Sequence, residues 1–407
     1  MTIELNYSPQ VTALVEATRA FIDEVVVPIE DRHGGDIAAA GGDAMAKELQ
    51  AAARQAGVFA PHAPLEYGGR GLNMSDRAPV FEAAGYSLFG PLAVNIAAPD
   101  EGNVHLLAEV ASAEQKARYL APLAAGDLRS AFAMTEPSPG VGSDPAALST
   151  RAERRSGDWF ITGQKWYITG ADGAGFFIVM ARTSGEPGQR GGATMFLVPA
   201  DTAGLRVGRH IPTLDRSMVG GHCEVFFDNV RVPDDAVLGE VDRGFEYAQV
   251  RLGPARMTHV MRWLGAARRA HDTALSHVVA RQAFGSTLGD LGMIQNMVAD
   301  NEIDIAATRA LLVRACWELD QGGTAGDATS IAKTFAAEAI FRIVDRSVQM
   351  CGARGVTEDL PPARLSREVR PFRVYDGPSE VHRWAIAKRR IGAVRRALRD
   401  APGDGPR

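Results

Sequence analysis

Residues 158–170 read DWFITGQKWYITG, and the fold turns on whether this stretch is helix or strand. It is rich in aromatic and β-branched residues, which fit a pleated surface better than a helix. Gly163 and Gly170 punctuate it, as glycine does where an extended segment bends or ends. The period therefore predicts a strand. Three further stretches share that texture, FFIVMAR at 176–182, ATMFLVPA at 193–200 and HCEVFFDNVRVP at 222–233, all short and bounded by glycine or proline. Residues 130–240 thus form a middle β domain, expected as a barrel or sandwich.

On both sides the period changes. VTALVEATRAFIDEVV (11–26) and AMAKELQAAARQAGVFA (44–60) repeat apolar residues at helical spacing, broken by PHAPLEYGGRGLN. Ser112-Ala-Glu-Gln115 has the form of a capping box. After Gly244, long helical runs return in MTHVMRWLGAARRAHDTALSHVVARQAFG and MVADNEIDIAATRALLVRACWELDQG. The reading is a mostly α protein with a central β domain: helical domain 1–129, β domain 130–240, C-terminal four-helix bundle 241–399 and a disordered tail 400–407.

A chain of 407 residues with 46% hydrophobic content is long enough for two or three packed domains. Its formal charge of -5 gives no general attraction to nucleic acid or anionic lipid. The basic run Lys388–Arg390 with Arg395, Arg396 and Arg399 reads as a solvated helix face. Cys223, Cys316 and Cys351 are far apart, which argues against a disulfide framework. The N-terminus lacks a signal-peptide pattern and no window is apolar enough to span a bilayer, so a cytoplasmic protein without membrane insertion is expected.

No G-x-G-x-x-G follows a strand, no Walker loop or H-E-x-x-H occurs, and the nine histidines lack metal-ligand spacing, so no metal is expected. Ser330-Ile-Ala-Lys333 has the S-x-x-K form without its usual companions and reads as coincidence on a helix. Four stretches remain. AFAMTEPSPGVGSD (131–144) gathers Thr135, Glu136, Ser143 and Asp144 on a loop, either as ligand donors or as a capped turn. In QKWYITGA (164–171), alternation puts Tyr167 and Thr169 on one face and Trp166 and Ile168 on the other; this suits a planar heteroaromatic ring or a plain half-buried strand. In ARQAFGSTLGDLGMIQ (280–295), Arg281 and Phe284 are three apart on a helix and share a face, as a phosphate-bearing ligand or a surface arginine over a core phenylalanine would have it. Gly352, Ala353 and Gly355 in QMCGARGVTED (349–359) allow close backbone approach or end a helix.

Near the C-terminus, RVYDGPSEVHR (373–383) places one acid, Asp376, in a tight Tyr-Asp-Gly-Pro turn before a helical run. Taken with Tyr67-Gly-Gly-Arg-Gly71, Thr135-Glu-Pro through Gly142-Ser-Asp, Lys165-Trp-Tyr-Ile-Thr169, Arg281-x-x-Phe-Gly285 and Gln349-x-x-Gly-Ala-x-Gly355, the chain resembles the acyl-CoA dehydrogenases over almost its full length. AAPDEGN (97–103), RLGPAR (251–256), Gly220-Gly-His222 and DGPSEVH (376–382) are most similar to the branch fused to kinase-like domains in animals.

The resemblance implies FAD bound between subunits of a homodimer or homotetramer, an acyl-CoA substrate and an electron-transfer flavoprotein as acceptor. It implies Asp376 as the catalytic base in place of the usual glutamate, with Arg256 as an electrostatic support, and a substrate site formed by Ser143, Tyr375, Asp376 and Gly377. Tyr167 takes the place of a tryptophan against the flavin and Thr169 that of the hydroxyl near N5. Met134 and Thr135 fall beside the ring. Arg281, Phe284, Gln349 and Ala353 fall where the family holds a neighbouring subunit's FAD, and Ser143, Pro378 and Glu380 complete the implied cofactor contacts. Pro378 stands for a threonine, Ala353 for a glycine, and the loop from Thr135 to Ser143 is two residues longer than the family's. Related nitroalkane oxidases also use an aspartate base, so an oxidase of a small carbon acid is the alternative, as is a dehydrogenase of carrier-protein thioesters.

Overall fold

The computed structural model describes residues 7–323 and 326–400. Of the expected tail, Asp400 closes the last helix and 401–407 lie outside the described residues. The N-terminal region is helical, with Pro9–Phe21, Asp43–Gln55, Met74–Ala84 and Asp100–Val110 as its main helices. Ser8 caps the first by accepting from the Val11 N–H at 3.2 Å. At Ser112 both halves of the capping box form, Gln115 N–H to Ser112 Oγ at 3.2 Å and Ser112 N–H to Gln115 Oε1 at 3.1 Å.

The middle region carries β1 (Ser130–Ala133), β2 (Arg151–Arg155), β3 (Asp158–Thr169), β4 (Phe176–Arg182), β5 (Ala193–Pro199), β6 (Leu205–His210), β7 (His222–Pro233) and β8 (Val237–Leu238). They form one eight-stranded sheet in the order β6-β7-β3-β2-β4-β5-β8, with β1 parallel to β4. Every residue of β4 is buried. Phe177, Val179 and Ala181 pack inside the sheet with Phe196, Val225 and Phe227, while Phe176, Ile178 and Met180 pack against helical Leu107, Leu120 and Leu123. A strand covered on both faces needs no polar alternation, which is why FFIVMAR is continuously apolar.

The C-terminal region is built on one long helix, Gly244–Ala280, with Gly292–Asp320, Gly326–Met350 and Ser379–Asp400 completing the bundle and Pro361–Val369 lying across it. The long helix also packs on Met74–Ala84 and Asp100–Val110, so one core runs from Phe81 through Met261 and Leu264 to Ile340 and Phe372. Glycines permit that crossing. A Cβ on Gly85 would stand 2.1 Å from the Arg262 carbonyl, and one on Gly265 2.2 Å from that of Glu82. The close approach lowers the middle of the long helix, with its polar side chains, into the interior. Among the described residues no helix is long and apolar enough to cross a membrane.

Candidate active site

The turn at Asp376 is held on several sides. Asp376 has φ +53° and Gly377 φ +97°, so two consecutive residues take the left-handed region, which an aspartate enters only when its surroundings hold it there. A Cβ on Gly377 would stand 2.7 Å from His382 Nε2, so glycine is required. Lys333 Nζ donates to the carbonyls of Phe372 and Gly377, both at 2.8 Å, and thereby ties the two ends of the turn. The Asp376 carbonyl accepts from Arg256 Nε at 2.9 Å and from His382 Nε2 at 3.1 Å. Arg256 therefore holds the backbone of the turn. Among the described residues no acceptor meets the Asp376 N–H.

The carboxylate faces the long helix. His259 Nε2 lies 3.3 Å from Asp376 Oδ2, and Arg262 donates to His259 Nδ1 at 2.9 Å. Because a guanidinium only donates, Nδ1 accepts and the ring proton sits on Nε2, facing the carboxylate. Tyr375 fills the space beside them, its ring 4.8 Å from His259 and 5.5 Å from Phe372, and its hydroxyl accepts from Trp263. Burial pushes the Asp376 carboxyl up, but His259, Arg251 and Arg256 outweigh it and hold it well below the usual carboxylate range. Burial pulls Lys333 down to about 8.

The 97–103 stretch supports this cluster. Arg251 donates to Asn103 Oδ1 at 2.7 Å and the Pro99 carbonyl at 3.3 Å, and buried Glu101 accepts from Thr258 at 2.7 Å with Arg262 at 3.7 Å. Beside it lies a cavity of about 50 Å³ lined by Leu88, Leu92, Pro99, His259, Arg262 and Trp263. Sequence reasoning missed His259, Arg262, Arg251 and Lys333. Their signal was available: Arg251, Arg256, His259 and Arg262 are polar residues in an otherwise buried helical run.

The β-domain candidates gather where β1 runs out against β3. Trp166 N–H donates to the Thr135 carbonyl at 3.0 Å, and buried Lys165 reaches the Met134 carbonyl at 2.9 Å and Glu136 at 2.8 Å. Glu136 also accepts from the N–H groups of Val141, Ser149 and Thr150, so it organises the loop from within, while Asp144 caps Ala146. The hydroxyls of Thr135 and Ser143 are left without partners among the described residues. The expected alternation slips at this point: the β3–β7 register shifts between Lys165 and Ile168, and Tyr167 has φ +53°. This bulge leaves Lys165 and Ile168 buried, Trp166 half-buried and the Tyr167 ring 48% exposed, so Trp166 does not share a buried face with Ile168. An open aromatic face, the free hydroxyls of Thr135 and Ser143 and the Thr169 hydroxyl fit the edge and face of a flat, polar-edged ring.

Arg281 and Phe284 are not on a helix. The long helix ends at Ala280, and Gln282–Ala283 pairs with Ser286–Thr287 in a two-residue hairpin whose central residues, Phe284 and Gly285, have φ +52° and +84°. That is the primed turn matching strand twist, and it overrides helical spacing. Phe284 stands 92% exposed at its tip. Gln349 and Ala353 are exposed at the same end of the bundle, where Met350 and Cys351 pack with Leu288. Gly352, φ +58°, ends the helix there, and Gly355 lies so close to the Val348 carbonyl that a Cβ would stand 2.1 Å away. Pro378 and Glu380 flank the start of the last helix beside Asp376. Twenty-five residues of one unbroken helix separate Arg256 from Arg281, about 37 Å at 1.5 Å per residue. One chain does not bring its hairpin to its own Asp376.

Three family models match in order: acyl-CoA dehydrogenase N-terminal domain at residues 8–127, middle domain at 131–230 and C-terminal domain at 242–391. "Probable acyl-CoA dehydrogenase FadE2" of Mycobacterium tuberculosis is 38% identical over 347 residues, covering 84% of this chain and 84% of that protein. Mouse acyl-CoA dehydrogenase family member 10 is 34% identical over 394 residues, covering 94% of this chain but 37% of that longer protein. Among solved structures, a candidate acyl-CoA dehydrogenase from Mycobacterium abscessus superposes with TM-score 0.88 at 37% identity, over 96% of this chain and 100% of that one. The FAD complex of PigA superposes with TM-score 0.86 at 25% identity, over 96% and 99%. With the three domains matched end to end and long relatives above 30% identity, the chain belongs to the acyl-CoA dehydrogenase family.

Proposed function

We propose that this chain is an FAD-dependent dehydrogenase that converts an acyl-CoA thioester to its trans-2-enoyl product, with Asp376 as the base. The observation that carries the reading is the Asp376 turn: an ionised carboxylate aimed by a left-handed backbone, next to an amide N–H that no described residue uses. Removing a proton α to a thioester needs both a base and a donor for the developing enolate oxygen. Asp376 supplies both, its carboxylate taking the α-proton and its N–H meeting the oxygen. FAD, when bound, accepts the hydride that leaves the β carbon.

The remaining assignments belong to the same proposal. Lys333, Arg256 and His382 keep the turn from relaxing, and Tyr375 and Gly377 shape the substrate's approach. As it stands the carboxylate is a weak base, and an acyl chain lying over it excludes water and raises it toward its task. Met134, Thr135, Tyr167 and Thr169 would hold the flavin ring, Ser143 the coenzyme A arm, and Pro378 and Glu380 the cofactor side of the turn. The separation of Arg281 from Arg256 along the helix supports a site shared between copies, in which Arg281, Phe284, Gln349 and Ala353 reach a neighbour's FAD. A dimer is then the smallest active unit. Electrons would pass on to an electron-transfer flavoprotein.

The test is anaerobic titration of the FAD-loaded protein with short-, medium-, long- and branched-chain acyl-CoAs, following visible absorbance. Bleaching by one class, abolished in Asp376→Asn, is the expected result. Bleaching by nitroalkanes alone, or by carrier-protein thioesters alone, would overturn the coenzyme A assignment.

A further inference from the structure

His222 takes no part in the Asp376 turn, yet both its ring nitrogens are engaged. Nε2 lies 2.7 Å from Asp215 Oδ2, and Nδ1 lies 2.9 Å from Thr169 Oγ1. Asp215 is buried; burial pushes its carboxyl up, but the bonds from His222 and Thr213 outweigh this and hold it below its ordinary range. An ionised carboxylate only accepts, so Nε2 carries the ring hydrogen. In the neutral ring Nδ1 is then a bare lone pair, and the Thr169 hydroxyl must donate to it. The hydrogen of Thr169 is committed inward, and only its oxygen lone pairs remain for a ligand.

The frame around this chain of bonds is fixed. Arg216 N–H and Ser217 Oγ donate to Glu368, both at 2.6 Å, and the Arg216 carbonyl accepts from Ile37 N–H at 3.2 Å, so the loop bearing Asp215 is tied to two other elements. The other charged groups nearby are paired with one another: His210 with Asp172 at 3.0 Å, and Arg129 with Asp43 at 2.6 Å and the Gly170 carbonyl at 2.9 Å. None competes for His222.

Resting on the FAD reading above, we propose that Asp215 and His222 are positioning residues that make Thr169 a hydrogen-bond acceptor toward flavin N5. Oxidised flavin presents a lone pair at N5 and reduced flavin presents N5–H. An acceptor opposite N5 therefore favours the reduced form. The pair biases the site toward holding the hydride once it has arrived.

The experiment is a dye-coupled measurement of the two-electron midpoint potential of the bound flavin in the wild-type holoenzyme, His222→Phe, Asp215→Asn, Thr169→Val and the Thr169→Val/His222→Phe double variant. His222→Phe frees the Thr169 hydrogen to donate to oxidised N5, so the potential should fall by about 30 mV, which is a tenfold change for two electrons. In the Thr169→Val background the same replacement should change nothing. Histidine-selective 15N spectra of the wild-type holoenzyme provide a readout that needs no variant: His222 should carry its hydrogen on Nε2 with Nδ1 as acceptor. Equal potentials with and without His222, or a neutral ring protonated at Nδ1, would overturn the proposal while leaving the dehydrogenase reading intact. Failure of the purified protein to hold FAD would overturn both.

Discussion

Lys333→Met is the most informative single change, because Lys333 is fully buried and reaches the site only through the backbone carbonyls of Phe372 and Gly377, spanning the turn that aims Asp376. Burial lowers its ammonium from 10.5 to about 8, a cost on the order of 3 kcal/mol for keeping it charged at neutral pH. Against that stand two hydrogen bonds from a charged donor, about 1.5–3 kcal/mol each. The bonds outweigh that cost by about 0–3 kcal/mol, and methionine fills a similar volume, so the net destabilisation should be no more than about 3 kcal/mol. Catalysis should suffer far more. With both carbonyls released, the turn can relax by about 1 Å, which costs on the order of a hundredfold in rate for a positioned base. Thermal unfolding and anaerobic single-turnover flavin reduction by the best acyl-CoA together make the assay: a drop of a few degrees with a hundredfold loss is expected. A rate within about threefold of wild type in a folded variant would refute the clamp. The pH dependence has a definite sign. Between about 8 and 10.5 the unfolded chain holds a proton on Lys333 that the folded chain lacks, so wild-type stability should gain on that of Lys333→Met as pH rises through that window.

Other consequences are open to direct measurement. His259→Leu removes the donor facing Asp376, so the acid limb of the flavin-reduction rate should move up by about one pH unit; superimposable profiles would show that His259 does not tune the base. Glu136→Gln leaves the buried Lys165 ammonium uncompensated and should cost about 3–5 kcal/mol in urea unfolding, whereas the Glu136→Leu/Lys165→Met double variant should lose much less. Glu368 is raised by burial from 4.5 to about 7, so the folded protein binds a proton there that the unfolded chain lacks, and stability should fall as pH rises across that range. Melting temperatures of Glu368→Gln at pH 5 and 8 should show a smaller decline than wild type; equal declines would place the effect elsewhere.

The architecture was legible in the sequence because periods are local. The short apolar run of β4 announced a strand, and the capping box at Ser112 is complete in four residues. What failed was the conversion of spacing into faces where pairing partners intervene. Trp166 and Ile168 alternate in sequence, but the register shift against β7 places a bulge between Lys165 and Ile168, and the cause lies some sixty residues away. Arg281 and Phe284 keep helical spacing, but the chain reverses there and pairs with Ser286 and Thr287. Asp376 drew notice as a lone carboxylate in a glycine-proline turn, and the role proposed for it came from the resemblance to the family.

Its supporting groups were not readable, for a physical reason. Lys333 looked like half of an irrelevant motif, yet its function is to satisfy two carbonyls some forty residues further on, and no property of Ser330–Lys333 encodes where those carbonyls will be. The long helix offers the better clue. A helix that buries Arg251, His259 and Arg262 among Met257, Val260, Met261 and Leu264 bears a desolvation cost that hydrophobic packing cannot offset. Such a helix persists only if each polar group meets a designated partner: Asn103 and the Pro99 carbonyl for Arg251, Glu101 and the Ile96 carbonyl for Arg262, Asp376 for His259. Two of those partners' segments are stretches already singled out in the sequence, 97–103 through the family resemblance and 373–383 through its lone acid. Polar residues that a helix should not bury, and turns that have no packing reason to be acidic, are halves of the same set of contacts, and together they mark out the candidate site.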